Sequence, residues 1–433
     1  MNKGKTSYRE AVGYLYGLQK YGIKFGLSKT STLLKTFGNP HESQKYIHFA
    51  GTNGKGSAAA FTASILKEAG LKVGLYSSPH LVRFTERFRI NDKEITHTET
   101  AALIEEIRGA FVSKEPPTFF EATTAMAINY FARENTDIAI METGMGGRLD
   151  ATNVITPLVS VITNISMEHQ AFLGSRLIDI AGEKAGIIKK NIDVVTGATQ
   201  PAVIKLFKSI AKEKNAPLWR VGKEIRYRTS GDGFHYYGLK HRFNNLHPGL
   251  TGKFQFRNAA LSLAVVELLE EKGFNISSVD MRKGLSSTIW PGRMQVVCRN
   301  PTIILDGAHN PAAVRALTKS IKAGFKYKRL ILVIGVMEDK DIGQLLRGIV
   351  PVSDYVIYTR PVYSRAANPE VLMARATNLQ KPGEAIHVLT KAIDRAREMA
   401  DPGDLIIICG SLFTVGEAMC YLNPESYGQD DLL

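Results

Sequence analysis

The sequence predicts an α/β protein built on a largely parallel sheet, with a second and smaller α/β unit at its C-terminal end. Three observations lead there. The 433 residues exceed what one ordinary hydrophobic core holds, which points to two or three domains. Short apolar runs alternate with helix-length amphipathic stretches, the rhythm of strand–helix–strand units. That rhythm restarts near Val296, after a Trp290-Pro-Gly-Arg293 segment with the turn chemistry of a hinge. The boundary is set at about residue 295, giving domains 1–295 and 296–433.

In chain order, Tyr46-Ile-His-Phe-Ala50 reads as a strand, followed by a Gly-rich turn and a helix from Ser57 to Glu68 that Gly70 ends. Lys72 to Tyr76, Asp137 to Met141, Leu158 to Ile165 and Asp193 to Gly197 read as further buried strands. Residues 219–256 are richer in aromatic and turn residues, which predicts a small antiparallel insertion. The second series has strands at Thr302 to Leu305, Leu330 to Ile334, Tyr355 to Tyr358, Ala385 to Leu389 and Leu405 to Cys409.

Composition narrows the class. A hydrophobic content of 44% with 22% charged residues is that of a globular protein. No apolar run approaches the roughly 18 residues that span a bilayer, and Met1 to Gln19 lacks the apolar core of a secretory leader. The expected location is the cytoplasm, with no membrane partner. Cys298, Cys409 and Cys420 are odd in number and far apart, so neither a disulfide framework nor a zinc cluster is expected. The net charge of +14 favours anionic partners. Nucleic acid fits that charge, but the basic residues are dispersed and form no block; an anionic small substrate with a nucleotide fits as well.

The strongest local signal is Gly51-Thr-Asn-Gly-Lys-Gly-Ser57, between a strand and a helix. Its three glycines let the backbone turn tightly, so that amide N–H groups can face one anion. The following helix adds its N-terminal partial charge. Lys55 can reach the β- and γ-phosphates, and the Ser57 hydroxyl can bind Mg²⁺. The spacing departs from GxxxxGK[ST], since Lys55 comes one residue early and Gly56 separates it from Ser57. The alternative is an ordinary Gly-rich turn. Glu142 follows the apolar run Ile138-Ala-Ile-Met141, at the strand end where open α/β sheets keep ligand sites.

With this loop, the chain carries Ser78-Pro-His-Leu81 and Glu86-Arg87, Thr118-Phe-Phe-Glu121, Glu142-Thr-Gly-Met-Gly-Gly-Arg-Leu-Asp150, Glu183-Lys-Ala-Gly186, Trp290-Pro-Gly-Arg293 and Asp306-Gly-Ala-His-Asn-Pro311. In that order the motifs resemble the folylpolyglutamate synthase/dihydrofolate synthase family of the Mur ligase superfamily, over nearly the whole chain. The resemblance implies a P-loop-containing, Mur-ligase-like ATPase domain and a Rossmann-like glutamate-ligase domain. It implies nucleotide contacts from Thr52, Asn53, Gly54, Lys55, Gly56, Ser57, Asn258, Arg293 and Asp306. It also implies Mg²⁺ held by Ser57, Glu142 and His169. Lys184 would be carbamylated by CO₂ and so become an oxygen ligand for a second Mg²⁺; an unmodified lysine has no acceptor. The family commonly has Asp-His where this chain has Glu168-His169, which puts the orientation of the histidine in question. Loops near Ser78–Leu81 and Thr118–Glu121 would serve the pterin, with Phe119 and Phe120 as stacking faces or as ordinary core.

The implied reaction joins L-glutamate to a pteroate or folate carboxylate. ATP converts the carboxylate to an acyl phosphate, which the glutamate amine then displaces. Lys55, Arg293 and Mg²⁺ would neutralise developing charge, and His309 would position the γ-phosphate or the intermediate. The chain is expected to act as a monomer, without nucleic acid. Another Mur-type ligase of cell-wall precursors, a P-loop nucleotide switch and a nucleic-acid-dependent ATPase remain as alternatives. The motifs do not separate dihydrofolate synthesis, polyglutamate extension or both; bacterial relatives are often bifunctional, and the resemblance favours both.

Overall fold

The short β-branched and aliphatic runs are buried on both faces, the pattern that a parallel sheet covered by helices on each side requires. In a computed structural model, which describes residues 6–22, 24–110 and 116–427, they form two sheets in two compact units. The first five residues of the Met1–Gln19 stretch lie outside the described part; within it, Tyr8–Gly17 is a helix.

The first unit holds residues 1–80, 84–249 and 256–288. Its sheet has eight strands: β1 (Tyr46–Ala50), β2 (Val73–Tyr76), β3 (Phe88–Ile90), β4 (Lys93–Glu94), β5 (Ile138–Glu142), β6 (Val159–Ile162), β7 (Asp193–Thr196) and β8 (Leu218–Arg220). Their order is β4-β3-β2-β5-β1-β6-β7-β8. Pairing is parallel from β2 to β8 and antiparallel only at the β3 and β4 edge. Every residue of β1 is buried, so the strand that delivers the Gly-rich loop runs through the centre of the sheet.

The helix after that loop starts at Lys55, two residues before the expected Ser57, because Gly54 adopts a left-handed conformation and turns the chain directly into the helix. Strand β6 ends at Ile162, not Ile165. Thr163, Asn164 and Ser166 leave the sheet to bind the loop instead, as described below. The antiparallel insertion within 219–256 is present as a three-stranded sheet of β9 (Arg226–Ser230), β10 (Gly233–Tyr237) and β11 (Arg242–Leu246). The buried Glu267 carboxylate on helix Gln255–Glu271 ties it down, accepting from the Tyr236 hydroxyl and from the amides of Leu239 and His241. Thr118 and Glu121 form a capping box that starts the almost wholly buried helix Phe119–Arg133.

The second unit holds Leu81–Arg83, Leu250–Gln255 and Ile289–Leu433, so the Trp290–Arg293 turn belongs to it. Its six strands are β12 (Gln295–Arg299), β13 (Thr302–Asp306), β14 (Leu330–Ile334), β15 (Tyr355–Arg360), β16 (Gly383–Val388) and β17 (Leu405–Cys409), in the order β12-β13-β17-β14-β15-β16. All pairs are parallel except β12 with β13. The chain passes through three further strands, β14 to β16, before β17 returns to pair with β13, which brings the end of β13, at Asp306, beside Cys409. The three cysteines are free. Among the described residues, no helix is long and apolar enough to cross a membrane.

Candidate active site

The Gly-rich loop is held by its own first unit. The amide of Thr52 donates to the carbonyl of Asn164 at 3.0 Å, and that of Asn53 to Asn164 Oδ1 at 2.9 Å. The Thr163 hydroxyl donates to the carbonyl of Asn53 at 2.7 Å, while the Thr52 hydroxyl donates to the carbonyl of Ser166 at 3.1 Å. Two amides at the head of the loop are thus engaged by the segment after β6. The first-turn amides of the helix, the groups that suit an anion, follow from Lys55, directly after the left-handed Gly54. Close packing explains two of the glycines. A Cβ on Gly51 would lie 2.0 Å from Thr163 Oγ1, and one on Gly54 would lie 2.5 Å from Asn258 Oδ1. The second contact places Asn258 directly over the loop.

Two lysines converge on one carbonyl. Lys55 Nζ donates to the oxygen of Gly51 at 3.2 Å and lies 3.8 Å from Glu142 Oε1. Lys184 Nζ donates to the same oxygen at 2.9 Å. Glu142 is the last residue of β5, paired with Phe49 of β1, and is 5% exposed. Lys184 is 2% exposed, on helix Leu177–Ala185. Burial, aided by the neighbouring Lys55 charge, pushes its ammonium down to about 7, against the pull of Glu168 and Asp150. Burial thus favours the neutral amine over the ammonium relative to an exposed lysine. His169 has a left-handed backbone and lies with Nε2 3.7 Å from Glu168 Oε1. Glu168 thus stands beside the histidine and also acts on Lys184, more than an orienting role for the longer carboxylate arm.

The predicted residues of the first unit form one connected set: Glu142 beside Lys55, Lys55 and Lys184 on Gly51, and Glu168 between Lys184 and His169. Ser57 is buried in the first turn of the helix that Lys55 opens. No group of three or more His, Cys, Asp or Glu side chains able to hold a metal occurs among the described residues. A hydroxyl, one carboxylate and one imidazole make an incomplete protein cage. That suits Mg²⁺, which keeps waters and substrate phosphates among its ligands. It would not suit a structural zinc.

In the second unit, the Asp306 carboxylate accepts from the amides of Met294 and Ala308, both at 2.9 Å. Burial raises its pKa, opposed first by Arg293. Gly307 donates to the carbonyl of Gly292, and a Cβ there would lie 2.3 Å from Arg293 Nη1. The glycine is what lets the guanidinium lie against the turn. His309 is half-buried, with Nδ1 2.8 Å from the carbonyl of Gly307. Asn310 caps helix Pro311–Gly324 by accepting from the amide of Ala313. Asp306, Arg293 and His309 are therefore brought together, with Asp306 serving as the brace of the turn.

The sequence matches the Mur ligase middle domain over residues 49–266 and the Mur ligase glutamate ligase domain over residues 292–412. It is 32% identical over 425 residues to the dihydrofolate synthase/folylpolyglutamate synthase of Bacillus subtilis, covering 95% of this chain and 98% of that one. It is 35% identical over 431 residues to a "probable bifunctional folylpolyglutamate synthase/dihydropteroate synthase" of Haloferax volcanii, of whose length the chain spans 50% while 95% of its own is matched. The E. coli FolC structure in complex with DHPP and ADP superposes with a TM-score of 0.90 at 33% identity, covering 98% of this chain and 100% of that one. The bifunctional folylpolyglutamate synthase/dihydrofolate synthase of Yersinia pestis complexed with AMPPNP and Mn ion superposes with a TM-score of 0.86 at 30% identity, covering 98% of this chain and 100% of that one.

The chain belongs to the folylpolyglutamate synthase/dihydrofolate synthase family. Its class of reaction follows from that membership: it is an ATP-dependent ligase.

Three sets of contacts around these motifs are not legible in the sequence. Asn164 and Ser166 were visible only as polar residues after a strand, and their partners lie more than a hundred positions away. Asp150, at the end of the Glu142 motif, is buried, and its charge acts on Lys184. Around the Ser78–Leu81 and Thr118–Glu121 motifs, Arg87 Nε donates to His80 Nδ1 at 2.8 Å, and its guanidinium lies 5.1 Å from the Phe119 ring centre. Phe119 also stacks on Tyr16 at 5.5 Å, and Phe120 packs against Gly144, where a Cβ would lie 2.5 Å from the ring. Glu121 serves the capping box.

Proposed function

We propose that the chain attaches L-glutamate both to dihydropteroate and to reduced folates, giving dihydrofolate and folylpolyglutamates with ADP and phosphate. One observation carries this reading: end-to-end similarity to the Bacillus dihydrofolate synthase/folylpolyglutamate synthase, joined to a phosphate loop with two lysines and a carboxylate at its base. The amides at the start of helix Lys55–Glu68, with Lys55, bind the phosphates of ATP. Asn258 of the first unit, and Arg293 and Asp306 of the second, are the further nucleotide contacts of this reading. A substrate carboxylate oxygen attacks the γ-phosphorus as the bond to the β-phosphate oxygen breaks, leaving ADP and an acyl phosphate. The neutral glutamate amine adds to the acyl carbon. The tetrahedral intermediate then expels phosphate and loses a proton to give the amide. Lys55 and the Arg293 guanidinium neutralise the charge that builds on phosphoryl oxygens in both steps. His309 positions that phosphate.

Ser57, Glu142 and His169 would hold Mg²⁺, which supplies Lewis-acid charge neutralisation at the phosphates when bound. Lys184 is the proposed site of carbamylation. Its neutral amine attacks CO₂, forms the N–C bond and releases one proton, leaving an anionic oxygen pair of the hard kind that a second Mg²⁺ prefers. We also propose a cytoplasmic monomer acting on small molecules alone.

The test is a product assay with ATP, glutamate and either dihydropteroate or tetrahydrofolate, read by mass spectrometry. ADP release dependent on both folate and glutamate is expected, with glutamate added to both acceptors. ATP turnover that needs a polynucleotide, or that accepts only a cell-wall precursor, would overturn the reading. For Lys184, a ¹³CO₂-derived carbamate resonance in the native protein is expected; its absence in active enzyme would refute the modification.

A further inference from the structure

His48 lies in the middle of β1, two residues before the phosphate-loop strand ends, and is fully buried. Its Nε2 is 2.8 Å from the Thr152 hydroxyl, and that hydroxyl is 2.5 Å from Asp150 Oδ1. The Asp150 carboxylate also accepts from the amide of Thr152 at 3.0 Å through Oδ1 and from the amide of Met145 at 2.8 Å through Oδ2. All three side chains are buried.

The directions of these bonds follow from counting protons. Burial raises the Asp150 pKa, opposed by the Thr152 hydroxyl and by backbone donors on both oxygens, which are the partners an ionised carboxylate takes. A carboxylate accepts only, so the single Thr152 hydroxyl proton goes to Asp150. The Thr152 oxygen then accepts, and His48 must supply Nε2–H. Its Nδ1 is buried without a hydrogen-bond partner, which fits an aprotic nitrogen. Burial, helped by the Lys189 charge, holds the imidazolium pKa down to about 3, so the ring stays neutral.

The relay ends on a loop that joins two parts of the site. Residues 143–150 run from Glu142 to Asp150. Along the way, the amide of Arg148 donates to the carbonyl of Glu183 at 2.7 Å, next to Lys184. A Cβ on Gly147 would lie 2.9 Å from the carbonyl oxygens of both Glu183 and Lys184. Asn153 Nδ2 donates to the carbonyls of Arg148 and Gly186, closing the same contact from the other side. Where Asp150 points therefore fixes how the segment after Glu142 meets the helix of Lys184.

We propose that His48 is a positioning residue of this active site: its Nε2–H, relayed through the Thr152 hydroxyl, fixes the Asp150 carboxylate and with it the 143–150 loop between Glu142 and Lys184. The proposal rests on the ligase reading only for the name of the site; the relay itself has a readout independent of turnover.

Two measurements test it. In the full-length protein labelled at histidine, long-range ¹⁵N–¹H spectra of the ring should show His48 as the neutral Nε2–H tautomer from pH 5 to pH 8. In Thr152→Val that preference should be lost, and in Thr152→Ser it should be kept. Ligation kinetics, taken well below each variant's melting temperature, should show kcat lowered by about ten- to a hundredfold in Thr152→Val, the usual range for a lost partner of a metal-site residue. The KM for ATP should stay within about threefold, and Thr152→Ser should recover most of kcat. His48→Gln, which keeps an N–H near the same place, should fall between them. Thr152→Val combined with His48→Gln should be no worse than the poorer single variant. An Nδ1–H tautomer in the parent, or a Thr152→Val variant with parental kcat, would overturn the proposal. So would losses in the double variant that multiply. A parent that ligates no glutamate to folates but shows the Nε2–H tautomer would sink the functional reading and leave the relay standing.

Discussion

At Lys184, function and stability pull in opposite directions. Its folded pKa, near 7, lies below the ordinary lysine value of 10.5. Between those values the unfolded chain binds the extra proton, so stability rises with pH across that window and the full burial penalty applies below it. The difference corresponds to a penalty on the order of 5 kcal/mol at most. Lys184→Met should therefore melt at a higher temperature than the parent at pH 6, with the gap closing as the pH approaches 10. The same variant should lose nearly all ligation. A melting-temperature difference that does not change from pH 6 to pH 10 would show that the lysine is not held neutral by burial. Glu142 and His169 permit a second residue-scale test. If both serve one Mg²⁺, Glu142→Gln and His169→Ala should each shift the Mg²⁺ titration of activity, and the double variant should cost little more than the worse single one. Single variants that retain the parental titration would dissociate these residues from the metal.

At the scale of elements, the phosphate loop depends on two glycines whose requirement is steric. Gly54 has φ +83° and opens the helix, with Asn258 packed where a Cβ would point. Gly54→Ala combines a left-handed alanine, at roughly 1 kcal/mol, with displacement of Asn258. Because Asn258 is itself a proposed nucleotide contact, the KM for ATP should rise by about tenfold or more while the circular dichroism spectrum stays parental. An unchanged KM would mean that the loop does not meet the nucleotide at Gly54. The helix and strand assignments were largely legible from periodicity, since fully buried runs such as Tyr46–Ala50 and Leu405–Cys409 are apolar throughout. The ends were less so. Strand β6 stops early because Thr163, Asn164 and Ser166 satisfy their polar groups on the loop, and no local pattern encodes a partner a hundred residues away.

At the scale of the whole molecule, the second unit is not one continuous stretch. Leu81–Arg83 belongs to it, and Val82 is buried in the cluster with Leu305, Val415 and Met419. A Cβ on Gly416 would lie 2.1 Å from the carbonyl oxygen of Leu81, a measure of how closely that short segment is seated. A fragment of residues 289–433 should then be less stable in urea than the same fragment supplied with the missing segments. Exposure of the Val82 site alone corresponds to roughly 1.5–3 kcal/mol. Equal denaturation midpoints for the two would show that the inserted segments are only passengers.

The sequence by itself determined the α/β class, the phosphate loop, the order of the motifs and, through their resemblance, the family. These are local properties: a Gly-rich turn between a buried strand and a helix, or a carboxylate at a strand end, is recognisable within ten residues. Only the tertiary structure decided what surrounds them. It engaged the Thr52 and Asn53 amides with Asn164, aimed Lys55 and Lys184 at one carbonyl, buried Lys184 deeply enough to free its amine, and joined His48 to Asp150 through Thr152. Each of those depends on hydrogen-bond direction and desolvation across strands that are distant in the chain, and neither quantity is carried by residue type or spacing.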